Sequence, residues 1–241
     1  MIGLKISRVL AIIPAYKSYP FETIESLKNQ TVENDIIVTA SPKMRDDMTY
    51  YISLGVDVIF DNSKISEPKG IRVVKALNNA LDMVGTSLKD YDYILKIDSD
   101  MILQSNFLEY NIARNKDLMG MGRCLLIKVS KFIEVTDGRF YEKCSCDDTY
   151  LFAQFQAANA DMIKWNWYYA PYEPIKHIAK CTQRELFITG FDAGRIGIRL
   201  SIKNIWIKPV QFIGYILGIL YPFKFPVYYK LRKVRRLKNA L

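Results

Sequence analysis

Short continuous apolar runs alternate with stretches of helical spacing through the first hundred residues of this 241-residue chain. Residues 9–13 are apolar throughout and lead into Pro14-Ala15-Tyr16, the pattern of a buried parallel strand and its exit loop. Residues 35–39 and 56–60 are further runs rich in β-branched side chains, and Tyr93–Ile97 reads as a fourth strand. Between these runs, residues 21–29 carry Ile24 and Leu27 on one side of a helix. Residues 42–54 start another near Ser41-Pro42. Ile71, Val74, Leu77, Leu81 and Val84 recur every three or four residues after Lys69-Gly70, which predicts an amphipathic helix. The order β-α-β-α-β-α-β predicts an α/β domain with a doubly wound, mostly parallel sheet flanked by helices. Farther along the pattern loosens: residues 119–132 read as one or two strands, 149–158 as a helix and 165–169 as an aromatic-rich strand.

A chain of this length with half its residues apolar has ample material for a core. The net charge of +9 belongs to one end. Of the 34 Lys/Arg, 11 fall in residues 193–241, where none of the 25 Asp/Glu occurs, so the preceding part is close to neutral. The four cysteines are too few for a disulfide scaffold. Cys144-x-Cys146 with His177-x₃-Cys181 is a conceivable zinc set, but structural zinc pairs have a wider gap of roughly two to four residues. Reduced thiols packed as small apolar side chains are the expectation. Lys5 and Arg8 before residues 9–13 imitate the start of a signal peptide. The apolar run is too short for one and is ended by Pro14, so a first strand is expected.

Asp98-Ser99-Asp100 follows the fourth strand directly. In open α/β sheets ligands bind at the carboxyl ends of the strands. Two carboxylates flanking one small residue, where the chain turns out of a strand, can converge on one divalent cation. Hard oxygen donors suit Mg²⁺ or Mn²⁺, which can hold a diphosphate in turn. Asp and Ser are also ordinary turn residues, so the motif takes its meaning from its company.

That company consists of three further segments. Ile12-Ile13-Pro14-Ala15-Tyr16 closes the first strand. Lys69-Gly70-Ile71-Arg72 leads into a helix carrying Asn78-Asn79. Asp137-Gly138-Arg139-Phe140-Tyr141-Glu142 precedes Cys146-Asp147-Asp148-Thr149-Tyr150-Leu151, an acidic pair opening a helix about fifty residues after the first motif. With these pieces in this order, the chain resembles the family-2 glycosyltransferases over roughly residues 8–200. These are enzymes of the GT-A fold that use nucleotide-sugar donors. The resemblance implies that Pro14, Ala15 and Tyr16 line the nucleotide pocket, that Lys69 and Arg72 face the diphosphate, and that Asp98 and Ser99 meet the donor. It further implies that Asp98 and Asp100 hold Mn²⁺ or Mg²⁺, with His177, the only histidine, as a third ligand. A single histidine is also an ordinary packing or surface residue.

The chemistry asks for the same residue types. Glycosyl transfer from a nucleotide donor needs a cation to neutralise the leaving diphosphate and a carboxylate to take the acceptor's proton. Asp98 and Asp100 suit the first role, and Asp148 or Asp147 the second. The pair Asp147-Asp148 also suits a helix N-cap with dipole-favoured acids, and both roles can hold at once.

The chain departs from the family pattern in two places. Where the family carries an aspartate after its second strand, this chain has Thr39-Ala40-Ser41-Pro42, so base recognition is expected to pass to Ser41 or to backbone groups. Gln183-Arg184-Glu185-Leu186 lacks the Gln-x-x-Arg-Trp signature of processive members, and transfer of a single sugar is expected.

Residues 1–203 are thus expected to form the GT-A domain, with a nucleotide-binding half of about 1–103 and an acceptor half of about 104–203. Residues 204–241 would be a membrane-associating tail. Residues 209–221 are uncharged, a run of 13 against the ~20 apolar residues needed to cross a bilayer. Extension to residue 229 takes in Pro222, Lys224 and Pro226. A segment in the membrane interface or a re-entrant hairpin is therefore expected. The basic residues 230–238 would sit on anionic headgroups, at up to ~1 kcal/mol per charge. The plainer alternative is a core-packing helix with a solvated basic end. The tail's aromatics are not interleaved with its basic residues, which argues against a nucleic-acid partner.

The expected partners are a nucleotide-sugar donor, a glycan or lipid-linked acceptor, and the anionic inner face of the cell membrane, with a cytoplasmic location. Two alternatives stand beside this reading. A nucleotidyltransferase would carry a Gly-rich loop after the first strand, where this chain has Pro14-Ala15-Tyr16-Lys17. A non-catalytic membrane-bound protein could keep the fold and bind nucleotide-sugar without transfer.

Overall fold

The structure is a computed structural model that describes residues 7–16, 20–61, 63, 67, 69–142, 147–163, 172–174, 187, 191 and 209–220. The chain forms two compact units. One comprises Met1–Ser63, Lys75–Phe140 and Ala160–His177; the other comprises Lys64–Val74, Tyr141–Asn159 and Ile178–Leu241.

In the first unit the predicted strands are present: β1 (Val9–Ala15), β2 (Asn34–Ala40), β3 (Asp57–Phe60) and β4 (Tyr93–Ile97). β1 lies between β2 and β4 and is parallel to both, and β3 extends the parallel set beyond β2. Every residue of β1 is buried, as its unbroken apolar run requires of a central strand. Two residues more than expected belong to it, Pro14 and Ala15, which pair with Thr39 and Ala40. The pairing with β4 ends at Ile12, so the proline that lacks an N–H sits where one side of the strand has left the ladder.

A short β5 (Met101–Leu103) pairs antiparallel with β9 (Tyr172–Pro174) in a separate small sheet. The run 119–132 resolves into β6 (Leu118–Met121), β7 (Cys124–Lys128) and the start of helix α5 (Val129–Thr136), so Phe132 is helical rather than extended. Only Gly122 and Arg123 join β6 to β7, and so short a connection permits only antiparallel pairing. The large sheet has the order β3-β2-β1-β4-β7-β6-β8, with β8 at Met162–Ile163. β7 alone runs against the other strands. The aromatic run 165–169 lies outside the described residues.

One face of the sheet carries Val9, Ala11, Ile13, Val38, Leu95 and Ile97 in the core with Ile24 and Leu27 of α1 (Phe21–Lys28). Phe107 and Leu108 of α4 (Phe107–Ile112) join the same cluster. Each Val, Ile, Leu or Phe side chain among them contributes about 1.5–3 kcal/mol on burial. The helix expected over 42–54 is instead a 3₁₀ segment, Pro42–Asp47, continued by α2 (Met48–Ser53).

Helix α3 (Lys69–Val84) buries Val74, Leu77 and Leu81, the positions its periodicity marks. Asn78, also buried, donates to the Phe140 carbonyl and accepts from the Phe140 amide, both at 2.9 Å. Asn78→Ala would orphan both backbone groups and should cost about 2–4 kcal/mol in urea unfolding. A loss below about 0.5 kcal/mol would show that water takes the amide's place.

In the second unit, helix α6 (Asp147–Ala157) begins two residues earlier than its expected start. Helix α7 (Pro209–Leu220) turns Gly214 and Gly218 inward. A Cβ at Gly214 would overlap the Phe187 carbonyl oxygen, so only glycine permits this approach. Ile213, Ile216, Leu217, Ile219 and Leu220 are exposed on the remaining surface of the helix. Its 12 residues span ~18 Å, and no helix among the described residues is long and apolar enough to cross a membrane.

Candidate functional site

The carboxyl ends of β1 to β4 share one edge of the large sheet. Pro14 and Ala15 are buried at the end of β1, and Tyr16 follows them, half-buried. Ser41, the first residue past β2, donates its amide to the Ala15 carbonyl at 3.0 Å. Asp98, Ser99 and Asp100 form the turn after β4, all half-buried. The parallel sheet thus brings together seven residues singled out by sequence: Pro14, Ala15, Tyr16, Ser41, Asp98, Ser99 and Asp100.

Three residues at this edge escaped the sequence reading. Asp61, just past β3 and 2% exposed, accepts from the Tyr16 hydroxyl at 2.6 Å, from Asn79 Nδ2 at 3.2 Å, and from the amide and hydroxyl of Ser63 at 3.1 and 2.8 Å. Three of those donors meet Oδ1 and the Tyr16 hydroxyl meets Oδ2, so the buried carboxylate fixes the position of the Tyr16 hydroxyl. The signal was present: an acid stands at the exit of the third strand as Asp98 does at the exit of the fourth.

Lys96 is the second. It lies within β4, is 3% exposed, and donates to Asp98 Oδ1 at 2.7 Å and to the Gly122 carbonyl. A lysine inside an apolar strand announces a buried partner, because an unpaired buried ammonium is too costly to keep. The third is Arg123, whose Nη1 is 3.9 Å from Asp100 Oδ2 and whose carbonyl accepts the Asp98 amide at 2.8 Å. The β6–β7 turn is therefore bound to the acidic turn through backbone and side chains.

The carboxylates of Asp98 and Asp100 are hard oxygen donors of the kind that hold Mg²⁺ or Mn²⁺ jointly with a diphosphate. Among the described residues, no three His, Cys, Asp or Glu side chains form a metal cluster. Two carboxylates suffice where phosphate oxygens and water complete the shell. His177 lies outside the described residues, as do Cys144, Cys146 and Cys181. Cys124 is fully buried and burial pushes its thiol pKa up, in keeping with a packed apolar role.

The other sequence-derived residues belong to the second unit. Lys69 is exposed and Arg72 half-buried on the first turn of α3. Asp147 opens α6, and Asp148 follows, half-buried and accepting from the Thr149 hydroxyl at 3.3 Å. The segment before them has local structural duties. Asp137 ends α5 with φ 56°, Gly138 follows at φ 77°, and Arg139 pairs with Asp82.

The opposite edge of the sheet has a different character. A groove of about 600 Å³ there is lined by Ser7, Tyr91, Asp92, Tyr93, Lys128 and Ser130, among others. Beside it, burial first and the hydrogen bond to Asp35 second push the Tyr91 pKa up to about 12, so its phenol stays protonated. The groove lies at the start of β4 whereas the aspartates lie beyond its end, and it presents no comparable pair of carboxylates.

No family model and no curated protein matches the sequence. Solved structures do match the fold. A mannosyltransferase from Pyrobaculum calidifontis, in complex with GDP-Man and Mn²⁺, superposes with a TM-score of 0.57 at 12% identity, over 95% of this chain and 80% of its own. Glucosyl-3-phosphoglycerate synthase from Mycobacterium tuberculosis, in complex with Mn²⁺, UDP and phosphoglyceric acid, gives 0.55 at 14% identity, over 81% and 80%. The mostly parallel mixed sheet flanked by helices is the fold these glycosyltransferases share, the GT-A architecture.

Proposed function

We propose that the protein is a metal-dependent, inverting glycosyltransferase that moves one sugar from a nucleotide-sugar to an acceptor hydroxyl or lipid phosphate. The observation that carries this reading is the Asp98-Ser99-Asp100 turn at the carboxyl edge of a GT-A sheet. The glycosyltransferases of like fold, solved with nucleotide or nucleotide-sugar and Mn²⁺, support it. A nucleotidyltransferase would need a Gly-rich loop after β1, and Pro14-Ala15-Tyr16 stands there instead.

In this reading Asp98 and Asp100 hold Mn²⁺ or Mg²⁺, with His177 as a further ligand. The bound cation supplies charge neutralisation to the departing diphosphate. Pro14, Ala15 and Tyr16 form the floor of the nucleotide pocket, with Tyr16 held in place by Asp61. Ser41 meets the base, Ser99 the donor, and Lys69 and Arg72 the phosphates. Asp148, with Asp147 beside it, takes the proton from an acceptor hydroxyl as that oxygen bonds to the anomeric carbon. The bond to the diphosphate breaks on the opposite side, which inverts the centre.

The test is thermal. A nucleotide-sugar panel should raise the melting temperature only with Mn²⁺ or Mg²⁺, since a ligand at a hundred times its Kd adds about 2.7 kcal/mol. Transfer to an acceptor then separates an enzyme from a binding protein. Stabilisation without any turnover would favour the binding protein.

The reading extends to a cytoplasmic enzyme lying at the inner membrane face. The exposed Ile and Leu side chains of α7 and the acid-free basic stretch 193–241 support this location. The full chain should bind anionic vesicles more tightly than neutral ones, and salt should weaken that binding. Ile216→Asp with Leu220→Asp should loosen it at least about tenfold. A carbonate wash should release the protein. Indifference to vesicles would remove the membrane location and leave the transferase reading in place.

A further inference from the structure

The groove at the far edge of the large sheet has no part in the proposed transfer. Its volume of about 600 Å³ lies within the range of small-ligand sites, roughly 300–1,000 Å³. Tyr93, the first residue of β4, lines it. The residue is only 4% exposed, yet its hydroxyl makes no hydrogen bond to any described residue. A buried phenol ordinarily finds a partner, so a hydroxyl left over at the wall of a groove marks a place for one. Burial first, and then the charges of Asp92 and Asp117, push its pKa up, so it stays a hydrogen-bond donor.

Two more donors stand beside it. Tyr93 and Lys128 are directly opposite in the β4–β7 ladder, so their side chains leave the same face of the sheet. Lys128 Nζ donates to Asn115 Oδ1 at 2.8 Å. An ammonium only donates, so the oxygen of the Asn115 amide is turned to Lys128 and its NH₂ is a further donor at the groove. Asp92 supplies an acceptor: its Oδ2 takes the Arg8 amide at 3.1 Å, and a carboxylate can accept about four hydrogen bonds in all. Ile112 and Ile133 add apolar wall. The ring of Tyr91 is fixed there by its hydroxyl on Asp35 and by the Arg8 guanidinium 4.6 Å from its centre. We infer that this groove binds a short saccharide, at a site separate from the acidic turn. Each sugar hydroxyl both donates and accepts, so neighbouring hydroxyls can join an ammonium or amide to a carboxylate while the C–H faces rest on aromatic and aliphatic walls. A phosphate would satisfy the donors but would meet Asp92 with like charge. The five residues of β4 span ~17 Å between the groove and the acidic turn, so a sugar held here leaves the nucleotide site open.

Saturation-transfer difference NMR on the full chain tests this with maltotriose, cellotriose, mannotriose and chitotriose, and inorganic phosphate is titrated beside them. At least one trisaccharide should bind with a Kd of about 1 mM or tighter. Tyr93→Phe should weaken that sugar about 2–10-fold, the worth of one hydrogen bond. Lys128→Met, which strips the ammonium and keeps the stem, should weaken it by at least as much. The Tyr93 hydroxyl has no described partner to lose, so Tyr93→Phe should melt at or above the wild-type temperature. A merely structural tyrosine would lower the melting temperature and leave sugar binding alone. Failure of all four sugars to bind overturns the inference. So does sugar binding that either variant leaves unchanged, which places the sugar elsewhere. Phosphate that binds more tightly than every sugar and loses affinity in both variants makes this an anion site, and overturns it as well. In each case the transferase reading stands, because it is decided at the acidic turn.

Discussion

Asp100→Ala is expected to abolish Mn²⁺-dependent nucleotide binding while leaving the protein folded. Asp100 is in a turn, its side chain is 21% exposed, and Arg123 stands 3.9 Å from it. Little of the core depends on it. The proposed cation site does, because Asp100 is one of the two carboxylates of the acidic turn. Loss of a group that only supports a ligand commonly costs 10–100-fold in metal affinity, so loss of a ligand should exceed about 100-fold. Asp98→Ala is the instructive control. It would strand the buried Lys96 ammonium, and removing one partner of a buried pair costs about 3–5 kcal/mol. The two variants should therefore separate: metal loss with normal melting for Asp100→Ala, metal loss with lowered melting for Asp98→Ala. Calorimetric titration and thermal unfolding read both. Undiminished Mn²⁺-dependent nucleotide binding by Asp100→Ala would end the assignment of the cation site.

Asp148→Asn should lower turnover by about 10² or more with almost no change in donor affinity. The substitution keeps the shape of the side chain and an oxygen for the Thr149 hydroxyl, so α6 should persist. It removes the charge that would accept a proton from the acceptor. A general base acts in the transition state, so the loss should appear in kcat and not in donor binding. Single-turnover kinetics with saturating donor measures it. Near-normal turnover would move the role to Asp147 or to another group.

Much of the first unit was legible before any fold was known. The unbroken apolar run of β1 and the run of β4, interrupted only by Lys96, announced buried strands, and the three- and four-residue spacing of Val74, Leu77 and Leu81 announced the buried stripe of α3. The acidic turn could be located because a strand's end is itself a sequence signal. The irregular half was less readable. Residues 119–132 read as one or two strands, yet the chain turns at Lys128 and Phe132 is buried in α5.

Periodicity reports how each segment is exposed to water, and from that the sequence by itself determined which stretches of the first hundred residues are strands, which face of α3 is buried, and that two carboxylates follow the fourth strand. What those carboxylates meet was decided only by the tertiary structure. Arg123 faces Asp100, and the Gly122 carbonyl accepts from the buried Lys96 ammonium, because β7 runs antiparallel beside β4 and brings Gly122 and Arg123 to the acidic turn. Asp61 reaches Tyr16, 45 positions away, because β1 and β3 both flank β2. Asn78 closes on Phe140 across 62 positions for the same kind of reason. Hydrogen bonds and ion pairs act over a few ångströms of space, whatever the separation along the chain, so a local pattern can mark a buried lysine or asparagine as needing a partner but cannot say which residue the fold will supply.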